Sequence, residues 1–339
     1  MVVFVIFLII YLSGNAWCRA EAQYCNHSNS LKNNMADTEG ICLWNSTDIF
    51  NILNQTDTKY PRISDPNYIL LLDTRKRKDY NESHILTAKY APRNESGSFA
   101  VPYEAELQTK RYCIVYDSRS DTLNDQGSPA VACARMLWDN GSKNPVVIIK
   151  GGYELFSALY PFLRTQKIIY TQKELDLCKT YPVEIIPGLL YSGTLEQGQN
   201  PAVNKALKCK AHVNVSCRQD VFCKDENSLF QNKVFEIPIE DSDDADIYSY
   251  FANAVEFIDG LCQPGNSVLV CSELNISRSI TIVIAYLMWK KHWTLQKAFA
   301  HVKQCKQNMQ PNRTFIEQLS KWEGHLYGQV VTDISEPDY

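Results

Sequence analysis

The chain has 339 residues, room for two globular domains at about 100 to 200 residues each. Hydrophobic residues make up 45% and charged residues 21%, a composition that argues against a disordered chain, a repeat array, a coiled coil or a collagen. With 34 Lys and Arg against 38 Asp and Glu the formal charge is −4, so no basic field exists to attract a nucleic acid backbone. The 12 cysteines fall singly, without a Cys-x-x-Cys pair, and indicate neither a disulfide scaffold nor a zinc site.

Residues Val2 to Leu12 form an apolar run followed by Ser13, Gly14, Asn15 and Ala16, the outline of a signal-peptide core and cleavage zone. No Lys or Arg precedes the run, and it is too short to span a bilayer as a helix. Asn-x-Ser/Thr sequons at Asn26, Asn45, Asn54, Asn81, Asn94, Asn140, Asn214 and Asn275 would need surface loops if glycosylated. Met35 stands just before the first domain pattern, so residues 1–34 are expected to be an upstream extension, with secretion the lesser expectation and the start codon, Met1 or Met35, left open.

From Thr47, helical spacing over Asp48 to Leu53 leads to a buried strand at Tyr68 to Asp73. A second strand at Tyr112 to Tyr116, a helix at Ala130 to Trp138 and a third strand at Val146 to Ile149 precede Gly151-Gly152. This alternation predicts an α/β domain with a parallel sheet. A boundary is expected near Leu177 to Pro182. Strands at Ala211 to Val215, Val234 to Ile239 and Ser267 to Val270, and helices through Tyr250 to Cys262 and Arg278 to Trp289, predict a second α/β domain. Amphipathic segments at Leu295 to Asn308 and Asn312 to Leu326 follow, and the tail past Gly328 is expected to fray.

Val268 to Ser279 runs from a strand through a tight loop into a helix, a geometry that aims backbone N–H groups and the positive helix end at one spot. Arg278 would add a bidentate fork for two phosphate oxygens. The tail Ile276-Ser277-Arg278-Ser279 resembles the loop of the cysteine-dependent dual-specificity phosphatases, His-Cys-x-x-Gly-x-Ser-Arg-Ser. In that register Ser272 falls at the nucleophile position, Cys271 at the histidine position and Asn275 at the glycine position, while Asp241 in Glu240 to Ile247 falls at the general-acid position. A thiol at such a helix end can ionise near neutral pH, whereas a serine needs an adjacent base, and the loop carries no His or Lys. Glu273, the one candidate base, would repel the phosphate. Cys271 should point away from the loop, because neighbouring side chains on a strand face opposite ways, and is expected to be an inert core thiol. Asp241 reads more readily as part of a solvated acidic loop than as an acid, and Pro311, Asn312, Phe315, Gln318, Leu319, Trp322 and Glu323 resemble the family's last helix, with a packing role. The phosphate-binding remnant is Ser272, Glu273, Leu274, Asn275, Ile276, Ser277 and Arg278, expected to hold an oxyanion weakly.

Leu71 to Arg75, Tyr80, Ser83-His84-Ile85 and Lys150 to Tyr153 with Phe156 resemble a rhodanese domain. Asp117 stands at the sulfur-carrying cysteine's position, and a carboxylate cannot carry a persulfide. Cys113 and Cys133 read as core. A rhodanese module followed by a dual-specificity domain is the layout of the mitogen-activated protein kinase phosphatases, which dock kinases through arginines. In the matching stretch this chain has only Lys89, Arg93 and Lys110, so kinase docking is not expected, and Arg75-Lys76-Arg77-Lys78 reads as a solvated turn. The expected organisation is a rhodanese-like parallel-sheet domain over 41–176, inactive, a dual-specificity-phosphatase-like α/β domain over 183–326, and a flexible tail over 328–339. The resemblance implies a catalytically silent member of the family, without cofactor or metal, that binds proteins or phosphoproteins. Its implied partners lie in phosphatase and stress signalling, among them a stress-granule scaffold and a mitochondrial phosphatase, and the implied roles extend to apoptosis. The implied compartment is the cytoplasm, with the mitochondrion second; the alternative is a weak protein phosphatase using Cys271.

Overall fold

The computed structural model describes residues 40–57, 60–103, 105–218, 233–335 and 339. The signal-like segment and Asn26 lie outside the described residues.

The first module contains β1 (Ile41–Trp44), α1 (Ser46–Leu53), β2 (Ile69–Asp73), α2 (Arg77–Glu82), β3 (His84–Ile85), β4 (Lys89–Tyr90) and β5 (Tyr112–Tyr116). It continues with α3 (Pro129–Asp139), β6 (Val146–Ile149), α4 (Gly152–Leu159), β7 (Arg164–Thr165) and α5 (Gln172–Asp176). Its main sheet has the order β1-β6-β5-β2-β4, every pairing parallel. The strand β1 was not foreseen; it reads as a half-buried edge, where the apolar run is short and the burial signal weak. α3 begins where the Ser128 hydroxyl caps the amide of Val131 and Pro129 takes the first helical position. Gly152 has φ +55°, and a Cβ there would lie 2.5 Å from the Asp117 carbonyl oxygen, so the loop after β5 can rest on the start of α4 only over a glycine.

The second module contains β8 (Val183–Ile186), β9 (Leu190–Thr194), α6 (Leu195–Gln199), α7 (Pro201–Leu207), β10 (Cys209–Asn214), β11 (Lys233–Glu236) and α8 (Phe251–Leu261). Then come β12 (Ser267–Ser272), α9 (Arg278–Lys291), α10 (Leu295–Cys305) and α11 (Arg313–Tyr327). The sheet order is β11-β10-β12-β9-β8, parallel except for β8. β12 is central and buried throughout, and α9 behind it is buried on nearly every side, which explains its weak amphipathic pattern.

The modules are joined by a polar seam. Asn51 of α1 donates to the Glu184 carbonyl at 2.8 Å and accepts from the Glu184 amide at 2.7 Å. Gln55 donates to Cys305 O at 2.8 Å and accepts from the Gln307 amide at 3.2 Å. The Glu184 carboxylate, 2% exposed, accepts from the hydroxyls of Tyr160 and Tyr191 and from the Gly188 amide. One apolar cluster runs across the seam from Ile49 and Phe50 to Tyr191, Leu269 and Cys271.

The tail corrects an expectation. Past Gly328, Val331 and Thr332 donate their amides to the Glu323 carboxylate at 2.8 Å each, and Thr332, by its hydroxyl, does so too at 2.8 Å. Burial alone would raise the Glu323 pKa, and these hydrogen bonds, together with that from the Leu295 amide at 2.7 Å, reverse it to a net lowering. Glu323 is thus an anchor for residues 331–332 as well as a helix residue, a role that the pattern of apolar spacing does not reveal.

Candidate phosphate-loop site

β12 delivers its residues alternately to two sides. Val268 and Val270 join the core behind α9, whereas Leu269 and Cys271 join the cluster at the module seam. Cys271 is fully buried, its thiol donates to Val213 O at 3.6 Å, and burial, with the nearby charge of Glu236, pushes its pKa well up. A thiol so placed is neither ionised nor directed at the loop.

Ser272 is 2% exposed. Its hydroxyl pairs with that of Ser279 at 2.9 Å and accepts from the Asn275 amide at 3.3 Å. The Asn275 side-chain oxygen in turn accepts from Ser192 at 2.5 Å and Ser279 at 3.0 Å. Asn275 has φ +54°, a left-handed conformation that Asn tolerates better than most residues with a side chain. The loop is therefore closed by a Ser/Asn network. Ser192 and Ser279 belong to it and were missed; Ser279 directly follows the arginine, but Ser192 comes from a strand 83 residues away from Asn275 with no local signal.

Around Arg278, Nη2 is ion-paired with the Glu273 carboxylate, Nη1 donates to Ile239 O at 2.9 Å, and Nε lies 3.9 Å from Asp241 Oδ2 without a hydrogen-bond partner. The Ser277 hydroxyl donates to Asp241 Oδ1 at 2.8 Å and accepts from the Asn312 amide at 3.1 Å. Asp241 is exposed, in keeping with its reading as part of a solvated acidic loop, and is also tied to the phosphate loop through Ser277. Gln318 of α11 supports the same acidic loop, accepting from the amides of Ile247 and Tyr248 and donating to Ala245 O. Leu274 is 60% exposed and Ile276 half-buried, with Ile276 O accepting from the Gln310 amide at 2.8 Å.

In the first module, Asp117 occupies the loop after β5. Its carboxylate accepts from the amides of Arg119 and Ser120 at 3.1 and 2.8 Å and from the hydroxyls of Ser120 and Ser128 at 2.5 and 2.8 Å. The loop's donors are turned onto a residue of the chain itself. The basic run is only in part the solvated turn expected: Lys76, Arg77 and Lys78 are exposed, whereas Arg75 is sheltered. Arg75 is ion-paired with buried Asp73 at 2.6 Å and lies 3.7 Å from the Tyr153 ring centroid, while Arg77 sits over Tyr90 at 4.7 Å. Cys113 and Cys133 are buried in the core, and burial raises both thiols, Cys133 to about 12. Among the described residues no cluster of His, Cys, Asp and Glu could hold a metal ion.

Residues 190–325 match the dual specificity phosphatase catalytic domain, and residues 57–159 match the rhodanese-like domain. Human dual specificity protein phosphatase 4 is 32% identical over 297 residues, covering 76% of this chain and 73% of that protein. The chain belongs to the dual specificity phosphatase family. Human dual specificity protein phosphatase 1 is 31% identical, covering 76% of this chain and 78% of that protein. The match to the rat form of phosphatase 4, at 35% identity, covers 58% of that relative's length. The crystal structure of human tyrosine phosphatase-like serine/threonine/tyrosine-interacting protein is 31% identical with a TM-score of 0.36, covering 42% of this chain and 95% of that one.

Proposed function

We propose that this member of the dual specificity phosphatase family is a pseudophosphatase, a protein-binding regulator that performs no turnover. The observation that carries the reading is the setting of Ser272. Its hydroxyl is held by Ser279 and Asn275, and among the described residues no His, Lys or carboxylate contacts it to take its proton. Phosphoester hydrolysis through Cys271, the alternative, requires a buried thiol of raised pKa to ionise and to turn through the sheet toward Arg278.

Serine at the nucleophile position, a preceding rhodanese-like module and the Ile276-Ser277-Arg278-Ser279 tail resemble the serine/threonine/tyrosine-interacting-like pseudophosphatases. By that resemblance its partners lie in phosphatase and stress signalling, with a stress-granule scaffold and a mitochondrial phosphatase among them. A non-secreted protein fits the burial of the sequon residues Asn54, Asn214 and Asn275, which a glycan could not occupy in this fold. Among the described residues no helix is long and apolar enough to cross a membrane.

The test is rapid-quench kinetics with an aryl phosphate on the natural protein, with mass spectrometry of residues 271 and 272. No burst and no phosphorylated Ser272 or Cys271 is expected; a burst with either adduct makes the protein an enzyme.

A further inference from the structure

Arg278 does not face an empty cradle. Its guanidinium already meets a carboxylate at Nη2, a carbonyl at Nη1 and, at longer range, a second carboxylate at Nε. The Arg278 side chain is 12% exposed and that of Glu273 30%, so the pair is sheltered while the carboxylate keeps one side in water. Glu273 comes from the loop itself, five residues before the arginine, with the left-handed Asn275 between them. Two carboxylates around one guanidinium leave this corner with net negative charge. A phosphate dianion would have to displace Glu273 and then sit near Asp241, giving up one charge-assisted hydrogen bond to make another.

The first module uses the same device. Asp117 places a carboxylate on the loop donors at its own site, so both sites are occupied by a side chain of the chain.

We propose that Glu273 is a built-in ligand of Arg278 that keeps the phosphate loop closed to tetrahedral oxyanions, and that the loop becomes an anion site when this carboxylate is removed or drawn away. The proposal rests on the non-catalytic reading above, because a phosphatase must admit the dianion at each turnover. It also defines the regulation of the site, since Glu273 is the sole loop residue whose charge opposes the ligand and whose side chain is accessible from outside.

The experiment is calorimetric titration of the full chain with tungstate at fixed ionic strength. It compares the natural protein with Glu273→Gln, Glu273→Ala, and Glu273→Gln combined with Arg278→Met. Both single variants are expected to bind tungstate at least about tenfold more tightly, the size of one charge-assisted hydrogen bond, and the combined variant is expected to lose the gain. Equal affinity of the natural protein and both single variants, with native near-ultraviolet circular dichroism, overturns the proposal, as does a gain that survives the loss of Arg278. Aryl phosphate turnover by the natural protein, measured on the same samples, would defeat the non-catalytic reading and leave the tungstate comparison standing.

Discussion

In the proposed reading Ser272 stands where the family's cysteine would, and serine has nearly the shape of cysteine, so the loop keeps its fold without an ionisable nucleophile. The Ser272 hydroxyl serves as an internal partner for Ser279 and the Asn275 amide. Residues with strained protonation lie elsewhere. His212, fully buried on β10, has its pKa pushed down to about 4 by burial. As pH falls from the ordinary 6.5 toward 4, the unfolded chain takes up the proton first, so the fold loses stability over that window. Urea unfolding should show a loss of about 2 kcal/mol from this group between pH 7 and pH 5, and His212→Gln should flatten the slope. Lys306, 3% exposed, is held down to about 8, by burial first and the Arg62 guanidinium second. Its folded form sheds the proton that the unfolded chain keeps, so the stabilisation of the uncharged form fades as pH drops from 10.5 through 8 and is gone at neutrality. Lys306→Met keeps the stem and removes the charge; denaturation at pH 7 should show a gain of up to about 3 kcal/mol, and a loss would show that the ammonium has a partner in solution.

At the scale of elements, the strands and helices that carry long apolar runs were legible: β5 and β6 match the expected spans residue for residue, and α9 was foreseen from Arg278 onward. What escaped were elements held by distant partners. β1 depends on β6, and α6 and α7 depend on capping by Thr194 and Asn200 rather than on a long periodic stretch. The tail escaped for the same reason, since three donors converge on one carboxylate of the preceding helix. Glu323→Gln can accept only part of that set; proteolysis after residue 328 should become several-fold faster, and unchanged cleavage would mean the tail is fixed by other contacts. Of the site, the strand–loop–helix frame and the orientation of Cys271 followed from period-2 alternation. The pairing of Glu273 with Arg278 did not, because loop side chains have no periodicity to read.

For the whole molecule, the seam decides whether the modules act as one. The Asn51 amide makes a two-way bond with the Glu184 backbone, Gln55 reaches Cys305 and Gln307, and Asn308 donates to Thr56 O at 3.0 Å. From that segment the chain continues to Gln310, whose amide meets Ile276 of the phosphate loop. The rhodanese-like module is therefore packed against the elements that support the loop rather than tethered beside them. Asn51→Ala leaves a buried backbone amide and carbonyl of Glu184 without partners, at about 1 to 3 kcal/mol. Differential scanning calorimetry should turn a single transition into two, and a single unshifted transition would show that the apolar cluster alone holds the modules together. Two domains could be read from the order of strands and helices; a seam built from Asn51 of α1 and Gln55 just past its end could not, since such residues usually signal a solvated face.

The most direct measurement compares aryl phosphate hydrolysis by the natural protein with that of the triple change Cys271→His, Ser272→Cys and Glu273→Gln, which places a thiol at position 272 and removes the carboxylate that closes the loop. The natural protein should be silent and the triple change should turn over, with the activity falling again when Arg278→Ala is added. Hydrolysis by the natural protein that Cys271→Ser abolishes would contradict the non-catalytic reading, and silence of the triple change in a native fold would contradict the assignment of residues 272–278 as a phosphate loop.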